Sequence, residues 1–321
     1  MWMLLVLFYG LAKGAREIVK KKAMEKSTVM EVLLFYTLLS FVMVIPEIKE
    51  AGGVELRFYF LIALKSFFIF VAWICSFKAL KKLPLSLYGV LDLSRVLFAT
   101  LLGIVVLNEV LNINQIIGLI FVSTGLIMLK CKPAFLKKIF KIDEYSDINK
   151  LSEETLRIMD DKRRDKKRDK KRDKKRDKKE IGRYIYVIAA FVSCLLNALS
   201  GLMDKILTKD ITSSQLQFWY MLFLLIYYII YILIAKEKVG ISTFKNKWVW
   251  ILAVLFVLAD KALFIANGYP ESKVTVMTMI KQSSCIVTIL GGKLVFKEKN
   301  VGYKLFCAIV IVTGILMSVL L

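Results

Sequence analysis

The sequence predicts an all-α integral membrane protein of ten transmembrane helices, arranged as two inverted five-helix repeats. Three observations carry this expectation. Apolar residues make up 58% of the chain, and they fall in blocks near the roughly 20 residues that a helix needs to cross a bilayer. Basic residues gather at the ends of those blocks and in one central segment, the footprint of membrane topology. An ungapped offset of 189 residues also superposes Gly103 on Gly292, Glu109 on Glu298, Thr124-Gly125 on Thr313-Gly314 and Met128 on Met317. Self-similarity at a fixed offset is the mark of an internal duplication.

A soluble fold would have to bury every apolar block, and runs such as Phe218–Ala235 have no polar face to show water. Apolar runs bounded by charged or turn-forming residues place spans near 2–19, 28–46, 58–79, 84–107 and 112–130, then 183–205, 214–235, 247–268, 273–296 and 301–321. The first span departs from the pattern, because Lys13, Arg16 and Glu17 enter its second half. That half suits a cavity or an interface rather than lipid. Met1-Trp2-Met3-Leu4-Leu5 offers neither the basic flank nor the small-residue cleavage site of a signal peptide, so the segment reads as a retained helix.

The organisation that follows is a first repeat over 1–130, a charged linker over 131–182 and a second repeat over 183–321. An odd number of spans per copy sends the second into the membrane from the opposite side, as in many secondary transporters. Within the linker, Lys162 to Lys179 repeats a four-residue unit, Arg-Asp-Lys-Lys, as a helical or disordered charged spacer. Anionic lipid headgroups are a candidate partner for it, with nucleic acid the less favoured reading.

The net charge of +22 is thus a matter of topology. The chain has no His, which removes the commonest general base and metal ligand. Its five cysteines show no CxxC spacing, and no GxxxxGK[ST] segment is present for ATP. Neither an enzyme nor a cofactor is expected.

Functional weight falls on ionisable residues deep in the spans, Lys65, Asp92, Arg95, Asp260, Lys261 and Lys281. Each costs about 2.5–3.5 kcal/mol at a helix centre on insertion scales, and so needs a partner or an aqueous cavity. Asp92 and Arg95 lie one turn apart and can pair. Lys65, Asp260 and Lys281 sit about eight residues from the same side, hence about 12 Å deep, and could meet at one level. Internal ion pairs and a solute pathway are both open readings. Four bases against two acids favour an anionic or zwitterionic solute. Trp73, Tyr88, Asn197 and Gln282 are candidate cavity neighbours, each equally at home in packing. Glu109 and Glu298 precede helices, where a carboxylate satisfies orphan backbone N–H groups, and Gly118, Gly125 and Gly314 suit close helix packing.

Lys78-Ala79-Leu80, Leu91-Asp92-Leu93-Ser94-Arg95, Leu102-Gly103, Leu107-Asn108-Glu109, Gln115-Ile116-Ile117-Gly118 and Thr124-Gly125-Leu126-Ile127 together resemble the end of an EamA repeat. The second copy repeats the pattern as Gly292, Phe296-Lys297-Glu298 and Thr313-Gly314. The EamA family belongs to the drug/metabolite transporter superfamily. The resemblance implies two five-helix copies and secondary transport, often export, of amino acids, drugs, sugars or nucleotide sugars. Family members often carry a proline partway along the fourth helix of each copy, where this chain has Arg95 and Ser284.

The leading expectation is a metabolite transporter working by alternating access, with a coupling ion as a possible further partner. A multidrug or organic-cation exporter is the alternative within transport, and a non-transporting interaction protein acting through its basic linker is the alternative outside it. Loops after the odd-numbered spans carry Lys20, Lys21, Lys22, Lys26, Lys81, Lys82 and the linker. The opposite side offers only Lys49, Arg57, Lys209 and Lys273. The charge rule therefore places the linker in the cytoplasm and both termini outside, in the cell membrane. The family resemblance implies the reverse.

Overall fold

The computed structural model describes residues 1–107, 112–131, 166–237, 239–298 and 301–320. Glu109 and the linker stretch 132–165 lie outside them. Among the described residues every regular element is a helix. In chain order these are α1 (Trp2–Ala23), α2 (Val29–Val44), α3 (Leu56–Lys82), α4 (Leu85–Leu91), α5 (Arg95–Leu107) and α6 (Ile113–Cys131), followed by α7 (Lys166–Leu207), α8 (Ser213–Ala235), α9 (Lys247–Asn267), α10 (Val274–Lys281), α11 (Ser284–Leu294) and α12 (Val301–Leu320).

By length and composition, six described stretches suffice to cross a membrane: Val29–Lys49, Leu56–Lys82, Leu85–Leu107, Tyr184–Leu207, Ser213–Ala235 and Lys247–Asn267. Ile116–Gly125, Ser284–Leu294 and Val301–Gly314 are shorter apolar helices. The chain is a multi-pass membrane protein.

Local sequence explains the elements. α2 and α8 each open with a capping box, Thr28 with Glu31 and Thr212 with Gln215, so orphan N–H groups are satisfied on both sides of the cap. α1 runs unbroken through its charged half because Tyr9, Lys13, Arg16, Glu17 and Lys20 recur at the spacing of one helical face, and all five are buried. α7 is continuous from Lys166 through the last part of the expected linker, 131–182, and into the apolar span that follows. An apolar helix already formed supplies the costly nucleus, and the charged repeat only has to propagate it.

Two apolar helices are interrupted at positions that the 189-residue offset brings together. A 3-10 turn over Asp92–Ser94 separates α4 from α5, and Gln282 and Ser283 separate α10 from α11. The 189-residue offset carries Asp92 onto Lys281. Neither break contains proline, so here the interruption accompanies charged and polar residues at a cavity, where irregular backbone inside a membrane is tolerated.

Helices from the N-terminal and C-terminal halves of the chain pack in matched pairs. α1 lies along α9 as α7 lies along α3, α1 meets α11 as α7 meets α5, and α6 pairs with α12 and α2 with α8. The main core joins α2, α3, α8 and α9 around Tyr36, Phe77, Trp73 and Phe256. Gly10 and Gly14 let α1 press against the second break: a Cβ on Gly14 would lie 2.8 Å from the Ser284 carbonyl oxygen. Small residues at such crossings are how membrane helices approach closely. Gly125 faces Ile311 and Gly314 faces Phe121 in the α6–α12 pair, while Gly103 is buried in α5.

Candidate functional site

A cavity lies where α1, α3, α5, α7, α9 and α10 converge, with about 80 Å³ free for water-sized molecules. The charged face of α1 lines it with Lys13, Arg16, Glu17 and Lys20. Lys65 on α3, Arg95 on α5, Asp204 on α7, Asp260 on α9 and Lys281 on α10 complete the charged lining. Asp92 sits behind this wall and accepts from both Lys13 and Arg95, the latter at 3.0 Å.

Two ion pairs join the N-terminal and C-terminal halves. Arg16 on α1 reaches Asp260 on α9 at 3.0 Å, and Lys65 on α3 reaches Asp204 on α7, also at 3.0 Å. In both pairs the N-terminal half supplies the cation and the C-terminal half the carboxylate, so Arg16 and Asp204, in matching parts of α1 and α7, carry opposite charges. The exchange extends further. Asp204 minus Arg16 is 188, and the same offset sets Lys205 against Glu17. Asp92 and Lys281 are likewise opposite in sign at the two breaks.

Aromatic faces support the cations. Lys65 Nζ lies 3.6 Å from the Tyr220 ring centroid, and the Arg16 guanidinium lies 5.2 Å from Tyr9 and 5.1 Å from Phe256. Such contacts gain strength when the cation is desolvated. Lys20 donates to Glu17 at 2.7 Å along α1. Lys281 is different. It is 7% exposed, and among the described residues it makes neither a hydrogen bond nor an ion pair, with only the Tyr9 ring at 5.7 Å. Across the described site, six cations face four carboxylates.

Of the residues singled out from sequence, Lys65, Arg95, Asp260 and Lys281 line the cavity, and so do Trp73, Tyr88 and Asn197. Lys261 does not belong with them. It points away from its neighbour Asp260, to Glu47 at 3.0 Å and Ser214 at 2.8 Å, because consecutive helical residues are turned by 100°. Gln282 lies in the break itself and donates to the Asp92 carbonyl at 3.4 Å. Lys13, Arg16 and Glu17, whose half of the first span suits a cavity or an interface by sequence, also line it, while Lys20 and Asp204 are the members that sequence reasoning passed over.

Glu298 caps a helix, but not the one that follows it. Its carboxylate accepts from the backbone N–H groups of Leu85 and Ser86, which open α4 in the other copy, and from the Ser86 hydroxyl. Lys21 and Lys304 stand 3.5 Å and 3.7 Å away. Burial pushes this carboxyl up, yet the Ser86 and Leu85 hydrogen bonds and the Lys21 charge outweigh it and hold the group below the ordinary 4.5. With the folded value lowered, its stabilisation is present above that ordinary value and fades as pH falls through the lowered one. The thermostability gap between wild type and Glu298→Gln is therefore expected to shrink from about pH 6 to about pH 3. A gap that stays constant would argue against an ionised cap.

Residues 1–131 match the EamA-like transporter family. No curated protein matches the chain. One crystal structure of a protein aligns with 99% of this chain and 96% of its own length, at a TM-score of 0.63 and 11% identity. That likeness speaks to the fold of the whole chain. The family match ends at Cys131, where the charged linker begins, and covers the helices that supply Lys13, Arg16, Lys65, Asp92 and Arg95.

Proposed function

We propose that the chain is a secondary transporter of a small anionic or zwitterionic metabolite, working by alternating access of two inverted five-helix repeats. The two sets of five crossings would be α1, α2, α3, α4–α5 and α6, then α7, α8, α9, α10–α11 and α12. The observation that carries this reading is the charged cavity between the copies, flanked by the two broken helices. Matched contacts across the copies are what an inverted pair produces, and discontinuous helices commonly hold the substrate in such folds.

The positive surplus favours an anionic group on the solute. An organic cation would need a spare carboxylate, yet Glu17, Asp92, Asp204 and Asp260 each face a cation. The small free volume fits a closed state around a small metabolite better than a drug-sized ligand.

Uptake of a labelled metabolite panel into liposomes carrying the full chain tests this. Lys281→Gln is expected to lower flux at least tenfold, and Lys209→Gln, exposed beyond α7, to leave it unchanged. Deleting 162–179 should also preserve flux, whereas an interaction protein acting through the linker would lose its role. No flux of any anionic or zwitterionic solute, or equal flux in both point variants, would count against the reading. We further place the linker in the cytoplasm and the termini outside, on the distribution of basic residues. Cleavage of the linker by protease added to intact cells would reverse that orientation.

A further inference from the structure

The charge exchange between the copies leaves one member uncompensated. At the first break Asp92 answers two cations, Lys13 and Arg95. At the second break the corresponding residue is Lys281, which has no carboxylate of its own. Lys13 and Arg95 are close enough for their charges to act on Lys281, and so are Asp204 and Asp260. Both of those acids are already engaged, by Lys65 and Arg16. A buried ammonium without a partner is unfavourable in a membrane interior, and a small anion from solution would relieve it.

Resting on the transporter reading above, we propose that Lys281 and Arg95 form an oxyanion subsite that holds a carboxylate or phosphate group of the transported solute, with the Tyr9 ring against its remainder. Arg95 retains an Nε that is buried without a hydrogen-bond partner, so its guanidinium has a donor to give. A guanidinium and an ammonium together suit an oxyanion, the first in plane and the second as a point charge. Six cations against four carboxylates leave room for up to two negative charges. The free space of about 80 Å³ admits a compact group only.

The test uses the purified full chain in detergent and a low-chloride buffer, titrated with inorganic phosphate, with acetate and with choline while thermal stability is followed. A ligand that binds only the folded protein raises the melting temperature by mass action. In the wild type, phosphate or acetate is expected to raise it and choline to leave it unmoved; whichever anion acts at the lower concentration identifies the oxyanion. Lys281→Gln is expected to weaken that response at least tenfold and Lys281→Arg to retain it. Without ligand, Lys281→Gln and Lys281→Met are expected to be at least as stable as wild type, because they remove an unpaired charge. A residue that merely braces the fold would show the opposite. The proposal falls if the anion response survives Lys281→Gln, if no anion stabilises the wild type, or if both neutral variants are less stable than wild type. Flux of a solute by wild-type liposomes, with no stabilisation of the wild type by phosphate or acetate, would sink the subsite and leave the transporter standing.

Discussion

Asp92→Asn is expected to be the most damaging single neutralisation in the molecule. Asp92 accepts from both Lys13 and Arg95 in the interior, and its loss leaves these two cations without the carboxylate they share. Breaking a buried pair by removing one partner typically costs about 3–5 kcal/mol, because the remaining charge stays in a poorly polarisable interior. Here two remain, so the loss should reach the upper end of that range. The measurable result is a sharp fall in the yield and melting temperature of the solubilised protein, partly restored by adding Lys13→Gln. Wild-type stability in Asp92→Asn would mean that water already screens these charges.

The second large effect is expected at the tie between copies. Asp260→Asn takes from Arg16, which is 5% exposed, its ion-pair partner and leaves it the Tyr9 and Phe256 rings and the nearby Glu17 charge. The rings soften the blow, so a loss of about 3 kcal/mol, the lower end for a broken buried pair, is expected. Removing both charges should be milder than removing one, since the desolvation of two ions disappears with their attraction. A double-mutant cycle of Asp260→Asn with Arg16→Gln, read as melting temperature or denaturation by detergent, measures the coupling. Strict additivity would show that the 3.0 Å contact carries no energy.

Much of this site is legible in the sequence wherever a charge interrupts a long apolar run. Lys65, Arg95, Asp260 and Lys281 announce themselves in that way, since a charge at that depth must turn from lipid toward a partner or a cavity. Lys261 announces itself equally and is misleading, because a linear run does not say which of two adjacent helical residues turns inward. The charges of α1 lie near the run's end, where a cavity and the membrane interface both suit them. Their spacing from Tyr9 to Lys20 on one face was the available signal, and it distinguishes a cavity wall from a frayed end. Asp204 was hidden similarly, three residues before the end of α7. The partner of Glu298 belongs to the other copy, and no local pattern tells a carboxylate that its N–H donors lie more than two hundred residues earlier.

The charge-exchanged pairs also bear on biogenesis. While only the first copy has left the ribosome, Arg16 and Lys65 have been delivered to the bilayer and their acids, Asp260 and Asp204, have not yet been made. On insertion scales each orphan carries about 2.5–3.5 kcal/mol, enough to keep α1 and α3 loosely inserted or held by the translocation machinery. The C-terminal half brings both acids and settles both charges. A chain that stops halfway therefore keeps unpaired cations in its apolar helices.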